Sequence, residues 1–163
     1  MFNKRQNNKN SNNRRILITR ENPSSPISEA YRSLRTSMIY SSANDSVKSI
    51  IVSSAGPGEG KTTTVANLAI TYANLGKKTL IIDTDLRRPV VHKTLDLTKE
   101  PGITDYLTGN VKEINDLVQK TSVDNLFAIS SGIIPPNPSE LLGSIRMANL
   151  VKKLESEWDM VLF

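Results

Sequence analysis

The chain has 163 residues, no cysteine, 37% apolar and 23% charged residues, and a formal net charge of +5. This balance suits one soluble domain large enough to bury a continuous core, and it excludes both a disulfide framework and a thiolate metal site. No apolar stretch approaches the roughly 20 residues that span a bilayer, and the N-terminus lacks a signal-peptide block, so any membrane association is expected to be indirect or peripheral.

The positive charge is local. Residues 1 to 20 carry Lys4, Arg5, Lys9, Arg14, Arg15 and Arg20 without an acid, which leaves 15 basic against 16 acidic residues in the body. "MFNKRQNNKNSNNRR" is dominated by asparagine and has almost nothing apolar to bury, so residues 1–22 read as a disordered basic tail. Its charges are spread out and lack interleaved aromatics; a solvated tail is expected, anionic lipid or polysaccharide stays an open alternative, and nucleic acid is not an expected partner.

After "ILIT" and the breakers Pro23 and Pro26, residues 23–46 contain a helical stretch, "ISEAYRSLRTSMIY". Ile27, Ala30, Tyr31, Leu34 and Met38 recur at helical spacing as one apolar stripe, with Ser28 placed to cap the start. A buried-type strand near 47–54, a helix from Lys61 to about Leu75 and a second strand in "KKTLIID" then form a parallel βαβ unit. A short helix in "GITDYLTG", a helix near 112–119, a strand in "NLFAISSG", a helix from about Ser139 to Glu155 and a last strand in "DMVLF" complete the series. The predicted architecture is α/β: a doubly wound, mainly parallel sheet with flanking helices and ligands at the carboxyl ends of the strands, to which the glycine-rich loop "AGPGEGKT" adds the pattern of a P-loop NTPase.

The loop "SSAGPGEGKTTT" carries the chemistry. From Ala55 to Thr62 it matches G-x-x-x-x-G-K-[ST] with alanine in the first position. Gly56, Gly58 and Gly60 let the backbone curl around phosphates, with Pro57 and Glu59 between them, and the helix beginning at Lys61 adds a positive dipole end. Lys61 is placed to reach the β- and γ-phosphates of ATP, and the Thr62 hydroxyl, followed by Thr63, to coordinate Mg²⁺.

Asp83, Asp85 and Arg87 alternate at the end of "TLIIDTDLRRP". On an extended chain both carboxylates face one side, where they can hold a metal and accept a proton, or merely cap the next turn. Beside a P-loop the first reading is preferred. Glu29, Arg32 and Arg35 stand at i, i+3, i+6 on a helix, a spacing usually explained by a solvated ion pair. His92 is expected in a loop or at the surface, Trp158 in the core, and Tyr31 and Tyr72 in packing positions, with Tyr40 and Tyr106 scattered.

Taken together, "AGPGEGKT", "LIIDTDLR", "EAYRSLR" and "PPNPSELL" resemble the bacterial tyrosine kinases, specifically the cytoplasmic CpsD/CapB type of capsule and exopolysaccharide clusters. The resemblance runs from about residue 27 to the end, so that 47–163 is the front of a kinase domain. It differs from the related MinD and ParA type ATPases, whose loop carries an extra lysine where this chain has Gly56.

The resemblance implies a protein-tyrosine autokinase using ATP and Mg²⁺, with Mg²⁺ on Thr62 and Asp85, Lys61 on the phosphates and Asp83 accepting the tyrosine proton. It implies a homo-oligomeric ring closed through Glu29, Arg32 and Arg35, and tyrosine-containing protein substrates. It further implies an activator, a membrane-bound polysaccharide co-polymerase whose cytoplasmic tail recruits the kinase to the inner face of the membrane.

"MVLF" resembles the start of a Walker B strand without its following Asp, so the chain is expected to be a fragment whose last strand leaves an unpaired apolar edge. A MinD/ParA-like ATPase and a non-catalytic nucleotide-binding module are the alternatives.

Overall fold

The computed structural model describes residues 16–41 and 47–163. The basic residues Lys4, Arg5, Lys9, Arg14 and Arg15, and with them most of the expected tail, lie outside the described residues.

The order of elements is α1 (Ile18–Glu21), α2 (Pro26–Tyr40), β1 (Ser49–Ile50), α3 (Lys61–Ala73), β2 (Thr79–Ile82), α4 (Val91–Leu95), α5 (Ile103–Thr108), a 3₁₀ turn (Ile114–Leu117), β3 (Gln119–Lys120), β4 (Leu126–Ile129), α6 (Pro138–Leu142), α7 (Ile145–Glu157) and β5 (Met160–Leu162). The sheet runs β1-β5-β2-β4-β3, parallel except for the antiparallel β3–β4 pair. Successive strand residues point to opposite faces. Ile81, Met160 and Leu162 therefore join one core with α3, while Leu80, Ile82 and Val161 join a second with α7. Both faces are covered, which is the doubly wound arrangement.

The folded body starts earlier than the predicted boundary at residue 23. Leu17 is buried, and Thr19 donates from its backbone N–H and its hydroxyl to Asn67 Oδ1 at 2.9 and 2.8 Å. Asn67 is itself buried in α3, so these bonds satisfy groups that would otherwise be costly in the interior.

Helix α2 corrects two expectations. Its cap is Ser25, whose hydroxyl accepts from Ser28 N–H at 3.1 Å, and Pro26 occupies the first turn instead of breaking it. The inward face carries Ser28, Tyr31, Arg35 and Met38, whereas Ile27 and Leu34 of the expected stripe are exposed. Polar residues take the inner face because they find partners there: Ser28 Oγ donates to Asn22 O at 2.7 Å and Arg35 Nη1 to Thr71 O at 2.7 Å.

Three other elements differ. The helix expected over 112–119 is a 3₁₀ turn that buries Ile114 and Leu117, after which the chain enters β3. The helix expected over 139–155 is divided at Gly143, and Ser144 caps α7 by accepting from Met147 N–H at 3.2 Å. Finally, β5 is an interior strand paired with β1 and β2, so the expected unpaired edge at "MVLF" does not occur; among the described residues the sheet edges are β1 and β3.

The start of α5 sits directly on the end of β4. A Cβ on Gly102 would lie 2.1 Å from Gly132 N and 2.3 Å from Ser130 O, both backbone atoms that cannot swing aside. Gly102→Ala is therefore expected to destabilise the fold by about 3 kcal/mol, read as a lower urea midpoint.

Candidate nucleotide-binding site

Parallel strands β1, β5 and β2 aim their carboxyl ends at one region, where the phosphate loop and the chain after β2 face each other. Gly58 and Gly60 adopt φ of +79° and +93°, a left-handed conformation that favours glycine, and Gly60 leads directly into α3.

A cavity of about 290 Å³ opens there. Pro57, Gly58, Gly60, Lys61, Thr62 and Thr63 form one wall, and Asp85, Arg88 and Val90 the other. Gly56 and Glu59 do not line it: the Gly56 carbonyl accepts from Lys61, and Glu59 turns back over Gly56. Lys61 Nζ donates to Ser54 Oγ at 3.0 Å and to Gly56 O at 3.2 Å, which holds the ammonium at the base of the loop.

Asp83 is buried beneath the opposite wall, in a cleft shared with Lys61, Thr62, Asp85 and Phe163. Its Oδ2 accepts from Val90 N and Val91 N, both at 3.0 Å, and its Oδ1 from Asp85 N at 3.3 Å. This carboxylate thus closes the loop between β2 and α4 and caps α4, a helix the sequence did not reveal. Burial raises its pKa to about 6, opposed by the N–H groups of Val91, Asp85 and Val90 and assisted by the charge of Asp85. Asp85 Oδ1 accepts from Arg88 N at 3.0 Å, an Asx-type turn that leaves Asp85 facing the cavity.

The consecutive arginines diverge. Arg87 Nη2 reaches Ser139 Oγ of α6 at 3.5 Å, while Arg88 lines the phosphate cavity. Sequence reasoning singled out Arg87 within the D-x-D pattern and missed Arg88 and Val90; the available signal was the second arginine in "DLRRP".

Glu29, Arg32 and Arg35 lie on α2, outside the cavity. Arg32 Nη2 pairs with Glu29 Oε2 at 2.7 Å, the solvated pair that spacing predicts, and Arg32 Nη1 donates to Pro23 O. Arg35 turns inward to α3, and its buried Nε has no hydrogen-bond partner among the described residues.

His92 corrects the loop expectation: it is half-buried on α4, where burial and then Lys93 and Lys99 lower its pKa. Trp158 is buried as expected, edge-on to Phe127 with Lys78 Nζ at 4.2 Å from its ring centroid. Tyr72 is buried, Tyr31 packs against the core, Tyr106 lies under Arg146 and Tyr40 is 81% exposed.

A family model described as an AAA domain matches residues 47–163. The tyrosine-protein kinase YwqD of Bacillus subtilis is 42% identical over 156 residues, 96% of this chain and 65% of that protein. The chain thus spans less than two thirds of this relative's length. Among solved structures, the chimerical protein CapA2B2 superposes with a TM-score of 0.84 at 38% identity, covering 91% of this chain and 66% of that one. The kinase domain of the Escherichia coli tyrosine kinase ETK gives 0.85 at 33% identity, covering 91% and 58%.

Proposed function

This chain belongs to the bacterial tyrosine-protein kinases, and we propose that the protein it represents transfers the γ-phosphoryl group of ATP to tyrosine hydroxyls, its own among them. One observation carries the reading: a single cavity joins the glycine loop, Lys61 and Thr62 to Asp85 on the facing wall.

These residues fit a nucleotide with Mg²⁺. The loop would supply N–H groups and one ammonium for phosphate oxygens, and Thr62 and Asp85 would supply hard oxygens for the metal. When bound, Mg²⁺ neutralises charge that builds on the transferring group. Lys61 would leave Ser54 and Gly56 for the phosphates, and the glycine loop would fix their position, which is most of what this reaction requires.

Asp83 is the proton acceptor in this reading. A carboxyl near 6 facing a phenol near 10 leaves a full prior deprotonation uphill by about 5 kcal/mol, so the proton moves as the new phosphorus–oxygen bond forms. Incubation of the full-length protein with labelled ATP and Mg²⁺ tests the proposal: phosphotyrosine is expected, and ATP hydrolysis without it would reject kinase activity.

The same reading places the kinase in control of capsular or exopolysaccharide synthesis, on the cytoplasmic side of the membrane, recruited by the tail of a membrane-bound co-polymerase. Among the described residues no helix is long and apolar enough to cross a membrane, which is compatible with recruitment by a partner. A ring of copies would use the outer face of α2, where Ile27 and Leu34 stand exposed beside the Glu29–Arg32 pair. Because Arg35 also donates to Thr71 O inside the chain, the cleaner test replaces Arg32 alone with alanine, which is expected to move an oligomerising parent to smaller species in sedimentation velocity. An unchanged profile would remove Arg32 from the interface.

A further inference from the structure

We propose that Arg88 is a phosphate-binding residue, its guanidinium serving the γ-phosphate from the wall opposite the glycine loop. The proposal rests on the nucleotide reading above and extends it to a residue outside the P-loop and D-x-D patterns.

Three observations converge on it. First, the stretch "SSAGPGEGKTTT" contains a single cation, Lys61, to meet a triphosphate of several negative charges. Second, among the described residues the cavity's only other cationic lining residue is Arg88, and it stands on the wall that also presents Asp85. Third, the backbone aims this residue. Arg88 N–H is held by Asp85 Oδ1 at 3.0 Å, and the loop that carries both is closed at its far end by Asp83, through Val90 and Val91.

The side chain itself is uncommitted. Arg87 reaches toward α6 and Arg32 is paired with Glu29, whereas among the described residues no hydrogen bond or ion pair engages the Arg88 guanidinium. An exposed guanidinium that lines a phosphate cavity without pairing to an acid has the planar fork that matches two phosphate oxygens at once.

The choice of the γ-phosphate follows from the geometry of the two walls. The glycine loop and the start of α3 would enclose the phosphates from one side, and Thr62 and Asp85, which line the same cavity, would hold the metal that goes with them. Arg88 lines the cavity with Asp85, and a guanidinium placed there would serve the group that is transferred, where charge accumulates in the transition state. It would lend positive charge within the same chain, a task that other phosphoryl-transfer enzymes give to an arginine.

The experiment is a titration of the full-length protein with fluorescent ADP and with the fluorescent imido analogue of ATP, both with Mg²⁺, comparing the parent with Arg88→Gln and Arg88→Lys. Arg88→Gln is expected to weaken the ATP analogue about 10-fold while ADP changes by less than about 2-fold, the loss of one charge-assisted contact confined to the γ-phosphate. Arg88→Lys, a point charge without the fork, should recover part of the difference. Equal weakening of both nucleotides, or no weakening of either, overturns the assignment. A parent that binds neither nucleotide would overturn the nucleotide reading itself, a result distinct from a parent that binds both and a variant that matches it. Because Arg88 is exposed, its replacement should leave the melting temperature unchanged, so that a loss of binding is not mistaken for a loss of fold.

Discussion

Lys61→Met is expected to lower the affinity of the full-length protein for MgATP by about 1,000-fold and to abolish phosphotyrosine formation. The size follows from what the ammonium would do. Two or three charge-assisted hydrogen bonds to phosphate oxygens, each contributing about 1.5 to 3 kcal/mol, disappear together, and methionine supplies the length of the stem without a donor. In the folded chain Lys61 makes two bonds, to Ser54 Oγ and Gly56 O, at the partly buried base of the loop. Their loss should cost about 1 kcal/mol of stability, a shift of a few degrees in Tm, so the variant folds. Calorimetric titration with MgATP beside a melting curve separates the two effects. Retained affinity would mean that the glycine loop alone holds the phosphates and that Lys61 belongs to the structure of the loop.

How much of this was legible in the sequence depended on the range of the interaction that decides each feature. The phosphate loop was legible because its conformation is set locally: glycine spacing, the lysine and the helix start fall within eight residues. The βαβ unit was legible because β2 carries the apolar run Leu80, Ile81 and Ile82 and α3 is long. Helix α2 was found, and of its expected apolar stripe Tyr31 and Met38 do face the core while Ile27, Ala30 and Leu34 do not. Hydrophobic spacing also selects Ile27, Ala30 and Leu34, whereas the fold turns Ser28 and the half-buried Arg35 inward because Asn22 O, Ile18 O and Thr71 O are there to accept from them. No pattern in α2 announces those carbonyls, which come from other segments.

The same limit hid α4. Its five residues are too few to show a period, and its cap is a carboxylate eight residues earlier in the chain, Asp83. The position of β5 between β1 and β2 was also beyond reading, since strand order is not written in any one strand. At the site, the D-x-D spacing correctly singled out the two acids but suggested a shared orientation. Asp85 lines the phosphate cavity, while Asp83 lies deeper, tied to three backbone N–H groups.

That difference between the acids makes Asp83→Asn the most informative substitution at the site. Transfer to tyrosine is expected to fall by about 1,000-fold, in the range for removing a general base, while ADP affinity stays within about 3-fold. The two should separate because the asparagine carbonyl can still accept from Val90 and Val91 N–H, so the loop that presents Asp85 and Arg88 is kept; only the weak bond from Asp85 N is given up.

Stability offers an independent reading of the same side chain. Burial has raised the Asp83 carboxyl to about 6 from an ordinary 3.8, so the folded state holds the proton more tightly than the unfolded chain. In protein free of nucleotide and Mg²⁺, the contribution of Asp83 to stability should therefore be fullest below about 4 and decline by up to about 3 kcal/mol as pH rises to about 6, then level off. The asparagine variant lacks that slope, so denaturation series at pH 4 and pH 7 should show it gaining on the parent at the higher pH. Loss of transfer with unchanged ADP binding and this gain would identify Asp83 as the proton acceptor. Loss of ADP binding in equal measure would instead make it the anchor of the loop, and retained transfer would remove it from the chemistry.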